Sequence, residues 1–116
     1  MAAIVAIVAV GVPAAAQFVP GIAPIPILEG LAPDAEGPLV FDTPQGRIVA
    51  TSLSGTRSEK AVRAFYGATL PQLGWRKLSE GQFRREGENL TLAITRLPGK
   101  RIRLRFRVAP VPGGPP

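Results

Sequence analysis

From Arg101 to Val108 basic and apolar residues alternate without a break. Ile102, Leu104, Phe106 and Val108 fall on one side, and Arg101, Arg103, Arg105 and Arg107 on the other. A period of two sends successive side chains to opposite faces of a strand, so this segment predicts a strand with one buried and one solvated face. Asn89–Arg96 repeats the pattern, with Leu90, Leu92 and Ile94 set against Thr91, Ala93 and Thr95. Leu97-Pro98-Gly99-Lys100 between them suits a type II turn. Trp75–Ser79 and Gln82–Glu86 read as shorter strands, joined by a tight turn at Glu80-Gly81 and followed by another at Gly87-Glu88. Arg47–Ser54 is β-branched and apolar, and predicts one further strand.

Between these strands the period lengthens. Val62, Phe65, Tyr66, Thr69 and Leu73 recur at helical spacing and form an amphipathic stripe. Thr56-x-x-Glu59 has the form of a capping box, with Ser58 as a competing N-cap. Pro71 is expected to kink or end the helix near Leu70, and Gly74 to take the left-handed position beyond it. The predicted order is β-α-β-β-β-β over residues 46–109. It describes a two-layer α+β domain, in which one helix covers the apolar face of a mostly antiparallel sheet. The first strand is expected at an edge of the four-strand meander or beside it.

The flanks have a different texture. Ala2–Val12 is apolar throughout, broken only by Gly11, and Ala14 and Ala16 supply an A-x-A cleavage pattern. That is the length of a signal-peptide apolar region and too short to span a bilayer. Residues 1–16 are therefore expected to be a signal peptide, with a mature start at Gln17. An uncleaved anchor formed by residues 2–16 and a buried apolar element are the alternatives, because Met1-Ala2-Ala3 carries no Lys or Arg. Prolines at 20, 24, 26, 33, 38 and 44 predict an extended tether over residues 17–45. Its apolar content is high for a linker. Leu39-Val40-Phe41 is expected to pack on the domain as a short strand, and residues 18–31 either to do the same or to dock on a partner. Residues 110–116 predict a loose Pro/Gly tail.

Charge sharpens this division. The chain of 116 residues carries a net +6, but residues 1–28 carry no side-chain charge. Residues 29–46 hold four acids (Glu29, Asp34, Glu36, Asp42) and no base, and all 14 Lys and Arg lie beyond. There is no His and no Cys. That removes imidazole and thiolate metal sites, thiol nucleophiles and every His-based dyad or triad. Glu80, Glu86 and Glu88 sit at turns, where a raised pKa is not expected, and Ser52, Ser54 and Ser58 have no general base. No catalytic residue, metal or cofactor is expected, and an enzyme is not.

Two sites remain. Arg101, Arg103, Arg105 and Arg107 place four guanidiniums on one strand face, roughly 6.6–6.8 Å apart. Such a row suits an acidic protein or an anionic envelope component: lipid, lipopolysaccharide or polysaccharide. The competing explanation is structural. A solvated face must be polar, and charge on a terminal edge strand deters edge pairing. Arg84, Arg76 or Lys77 would join the row depending on register, and Glu80, Glu86 and Glu88 would pair with it across strands. The acidic segment 29–42 could instead fold over the row until a partner displaces it. Nucleic acid is not an expected partner, since Phe106 lies opposite the arginines and no aromatic interleaves them. The second site is a small-molecule seam between helix and sheet near Tyr66 and Trp75, beside a cluster expected mainly to define the core.

The string Phe65-Tyr66-x-x-x-Leu70-Pro71-x-Leu73-Gly74-Trp75, followed by Phe83-Arg84-Arg85-Glu86-Gly87, resembles small exported proteobacterial domains of unknown function. The resemblance covers roughly residues 38–109 and the signal-like start. It implies a fold and export to the periplasm or beyond, and it carries over no functional residue. Taken together, these features predict a non-enzymatic periplasmic or secreted interaction module. A small-molecule binding domain at the Trp75 seam and an accessory subunit anchored in the membrane by residues 2–16 are the alternatives.

Overall fold

Two long alternating segments organise the sheet, and a third joins them from the other side. In the computed structural model, which describes residues 18–22 and 24–112, the elements are β1 (Leu31–Pro33), β2 (Leu39–Thr43), β3 (Gly46–Gly55), α1 (Glu59–Gln72), β4 (Arg76–Ser79), β5 (Gln82–Arg85), β6 (Glu88–Leu97) and β7 (Arg101–Pro110). The expected signal peptide and the end of the tail lie outside the described residues. Every strand pairing is antiparallel, and the order across the sheet is β1-β3-β7-β6-β5-β4, with β2 also paired to β3. The fold is α+β, one helix on a seven-strand sheet, so the predicted class holds. The five strands predicted over residues 46–109 are joined by two from the proline-rich stretch, the expected one at Leu39–Thr43 and an unexpected one at Leu31–Pro33.

The position of β7 corrects one expectation. The arginine strand does not end the sheet at an edge but lies between β3 and β6. Edge protection therefore does not explain its charges. The real edges are managed otherwise. β4 carries Arg76 and Lys77, and the opposite side is closed by β1 and β2, of three and five residues. Short or charged edges offer little template for pairing with another chain.

The helix begins two residues later than the capping box implies. Ser58, not Thr56, is the N-cap, and its Oγ accepts from Ala61 N–H at 3.0 Å. Glu59 pairs forward with Arg63 at 3.1 Å rather than reaching back. Pro71 is accommodated in the last turn instead of ending the helix at Leu70. The helix then closes in a Schellman motif: Trp75 N–H donates to Leu70 C=O (3.0 Å) and Gly74 N–H to Pro71 C=O (3.1 Å). Gly74 has φ +93 there, the left-handed geometry that glycine adopts without strain. The turn between β5 and β6 is formed by Glu86-Gly87, one residue earlier than expected. Both have positive φ (46 and 81), as a type I′ hairpin turn requires.

Leu53, Leu90, Leu104 and Phe106 on the inner face of the sheet and Val62, Tyr66 and Leu70 on the helix are buried. Each such side chain contributes about 1.5–3 kcal/mol on burial. Tyr66 stands edge-on to Phe106, with ring centroids 5.3 Å apart.

The helix does not cover this face alone. Residues 18–31 form a strap that buries Val19, Ile22, Ile25, Leu28 and Leu31 in the same core. Phe18 bridges Pro26, and Val19 N–H donates to Ile25 C=O at 2.8 Å, so the chain doubles back on itself. Tyr66 latches it: the phenol donates to Pro26 C=O (2.9 Å) and accepts from Leu28 N–H (3.1 Å). Burial pushes the Tyr66 pKa up to about 12, because the anion would be desolvated there. Residues 18–45 are thus part of the folded unit, not a tether. By contrast Leu39, Val40 and Phe41 pair with β3 as expected but stay exposed.

Candidate functional site

Strand register determines what stands beside each arginine. Arg107 lies between Ala50 and Thr91, Arg105 between Ser52 and Ala93, and Arg103 between Ser54 and Thr95. Small residues on both neighbouring strands leave the guanidiniums standing clear of the sheet. Arg84 is opposite Asn89 and Arg76 opposite Arg84, which puts both on this same face. Arg84 Nε donates to Asn89 Oδ1 at 2.9 Å. Lys77 falls on the other side.

Among the described residues, the acids form an ion pair with this face at only one point. Asp34, in the loop after β1, accepts from Arg103 Nε at 3.1 Å and from Ser54 Oγ at 2.6 Å. Glu36 lines a small cavity of about 120 Å³ with Arg105 but makes no ion pair. Asp42 pairs with Arg47 at 3.5 Å, away from the row. The segment 29–42 is therefore built into the sheet edge and neutralises one arginine of four. The expected cross-strand pairs do not form either. Glu80 binds Arg63 (3.3 Å) and Lys77 (3.2 Å), which hold its carboxyl below the usual range, Lys77 foremost. Glu88 is opposite Pro110. Arg101, Arg105 and Arg107 are exposed and have no ion-pair partner among the described residues.

Two residues outside the predicted site flank it. Leu39 is opposite Ala50 and Phe41 opposite Ile48, so both project from the arginine face, 60% and 55% exposed. They stand two strands from β7, roughly 9.5 Å away. The sequence showed them as apolar, and apolar residues are expected to turn inward. Only the pairing register reveals that they do not.

The aromatic seam separates into two parts. Tyr66 is wholly buried and both its hydrogen-bonding functions are used by the strap, so it lines no opening. Trp75 lines a cavity of about 140 Å³. Ile22, Val49 and Val108 form its apolar wall, and Arg47, Arg85 and Glu88 are its charged residues. Arg85 stacks on the indole, its guanidinium carbon 4.3 Å from the ring centroid, and donates from Nη1 to Leu73 C=O at 3.0 Å. Arg85 could have been suspected from sequence, because it shares strand parity with the inward-facing Phe83. Among the described residues no helix is long and apolar enough to cross a membrane, and no cluster of acidic side chains could hold a metal ion. No family model, no curated protein and no solved structure matches the chain.

Proposed function

We propose that this protein is a non-enzymatic, exported module of the cell envelope that binds an anionic partner through the arginine face of its sheet. The observation that carries the reading is the group Arg101, Arg105 and Arg107 on a central strand, exposed and without an ion-pair partner among the described residues. Solubility does not require three unpaired guanidiniums in one row, and they sit where neither edge protection nor internal neutralisation accounts for them. Leu39 and Phe41 on the same face favour one kind of anionic partner, a lipid surface. Arginines hold phosphate oxygens at headgroup level, and nearby apolar side chains enter the acyl boundary. An acidic protein or polysaccharide would use the arginines but would not need the pair. Export rests on the apolar run of residues 2–12, the A-x-A pattern and the resemblance to small exported domains.

Vesicles of phosphatidylglycerol mixed with phosphatidylcholine test the reading against pure phosphatidylcholine. Binding is expected only to the anionic vesicles and is expected to weaken as salt rises. At about 1 kcal/mol per arginine near such a surface, replacing Arg101, Arg105 and Arg107 by Ser lowers affinity on the order of 100-fold. Equal binding by the wild type and the triple variant would sink the proposal. Mass spectrometry of the native protein tests export: a start at Gln17 supports it, and an intact Met1 favours the anchored alternative.

A further inference from the structure

Arg76 on β4 and Arg84 on β5, at the far margin of the arginine face, are direct cross-strand partners. Side chains so placed leave the sheet with Cβ atoms about 4.5–5.5 Å apart, and like charges there are destabilising. Neither arginine has an ion-pair partner among the described residues, which include all eight acidic side chains. Edge protection accounts for a cation on β4, where Lys77 also stands, but not for a second one opposite it on the inner strand β5. The pair is accessible. Arg76 is exposed and Arg84 partly so, and both line one open groove of about 540 Å³ between the end of the helix and the β5–β6 turn. Arg84 is also oriented: its Nε donates to Asn89 Oδ1 at 2.9 Å, which leaves Nη1 and Nη2 for another acceptor. Arg85 lines the groove too, but it already serves the Leu73 carbonyl, and Glu86 in the same wall offsets its charge. Three arginines against one glutamate leave +2, carried by Arg76 and Arg84.

We propose that this groove binds a phosphate monoester of a small polyol. Such a phosphate carries about −1.5 to −2 at neutral pH and three terminal oxygens. It matches the surplus charge, and its oxygens accept from both guanidiniums at once, which turns the repulsion between them into a clamp. A diester has one charge and two free oxygens, and satisfies one arginine only. The rest of the wall sets the body. Leu73 is its one apolar side chain, and Glu86 accepts from hydroxyl groups. No aromatic side chain lines the groove, so nothing there stacks a nucleotide base. The site lies two strands from β7, roughly 9.5 Å across the sheet and beyond the screening length of about 8 Å at physiological salt. It therefore acts apart from Arg101, Arg105 and Arg107. A lipid headgroup such as phosphatidate and a soluble polyol phosphate present the same monoester.

Calorimetry on the full chain at physiological salt tests this with glycerol 3-phosphate. Saturable binding is expected, with none for glycerol and about tenfold weaker binding for dimethyl phosphate. Arg84→Lys keeps the charge but loses the fork, and Arg76→Gln loses the charge. Each is expected to weaken glycerol 3-phosphate about tenfold, with thermal melts establishing that the variants fold. Replacing Arg101, Arg105 and Arg107 by Ser is expected to change this affinity less than about twofold. The lipid-surface reading and this one therefore fail separately. Phosphatidylcholine vesicles carrying phosphatidate or phosphatidylglycerol at equal surface charge identify the source. A preference for phosphatidate that Arg76→Gln abolishes assigns the monoester to a lipid, and glycerol 3-phosphate binding without that preference assigns it to a soluble ligand. The proposal is overturned if neither monoester is favoured over its diester counterpart. It is overturned equally if the Arg101, Arg105 and Arg107 variant loses as much affinity as folded Arg84→Lys, the mark of a diffuse basic field.

Discussion

Two short apolar, proline-bearing segments enter the same sheet from its N-terminal side and meet opposite fates. Residues 18–31 bury five aliphatic side chains under Tyr66, whereas Leu39, Val40 and Phe41 pair with β3 and remain in solvent. Composition does not separate them. What separates them is where the backbone hydrogen bonds go. The strap satisfies its own groups by doubling back and by using the Tyr66 hydroxyl, so it is free to lie flat over the inner face. β2 satisfies its groups through β3, and strand geometry then sends its side chains to both faces at a margin that the helix does not reach. In these two segments apolar residues are no guide to the core until the backbone partner is known.

The largest effect that can break this contrast lies in the strap. Ile25→Ala removes a fully buried side chain and is expected to cost about 2–5 kcal/mol in urea denaturation, the range for aliphatic truncation in a core. A loss near zero would mean that the strap is a detachable tether after all. Tyr66→Phe comes next. It leaves Leu28 N–H and Pro26 C=O without their partner and is expected to cost about 1–3 kcal/mol.

The same residue gives a pH signature. The unfolded phenol ionises near pH 10, and the folded one only at about 12. The folded state holds its proton more tightly, so this contribution is complete below about pH 10. It fades as pH climbs towards 12, by about 2–3 kcal/mol in all. Alkaline titration of stability in the wild type should show the decline, and Tyr66→Phe should lack that share of it.

The smallest effect is expected at β2. Leu39→Ser with Phe41→Ser should change stability by no more than about 0.5 kcal/mol each while weakening vesicle binding. A core-sized loss at these two positions would erase the contrast.

Most of the domain from Gly46 onward was legible because its signals are local. Alternation in β6 and β7, the i, i+3, i+4 stripe of α1 and the Gly74 cap all lie within a few residues of one another. The strap was not, and its spacing shows why. Val19, Ile22, Ile25, Leu28 and Leu31 recur every three residues, which matches neither the strand period nor the helical one. The arginine row was visible as a row, but its neighbours were not. That β7 would be central, that Asp34 would reach Arg103 and that Leu39 would stand on the same face all depend on pairings between segments far apart in the chain. The Trp75–Arg85 stack likewise needs the hairpin of β4 and β5 to exist first.

The central place of β7 also governs the order of assembly. It is the last of the described strands along the chain, yet it supplies the join between β3 and β6. Until Arg101–Pro110 has left the ribosome, the sheet is two separate pieces with nothing between them. Closing it unites residues some fifty positions apart, Leu53 with Leu104 among them, a long-range contact of the kind that slows folding. The nascent chain consequently cannot join the two halves of its sheet until synthesis reaches β7.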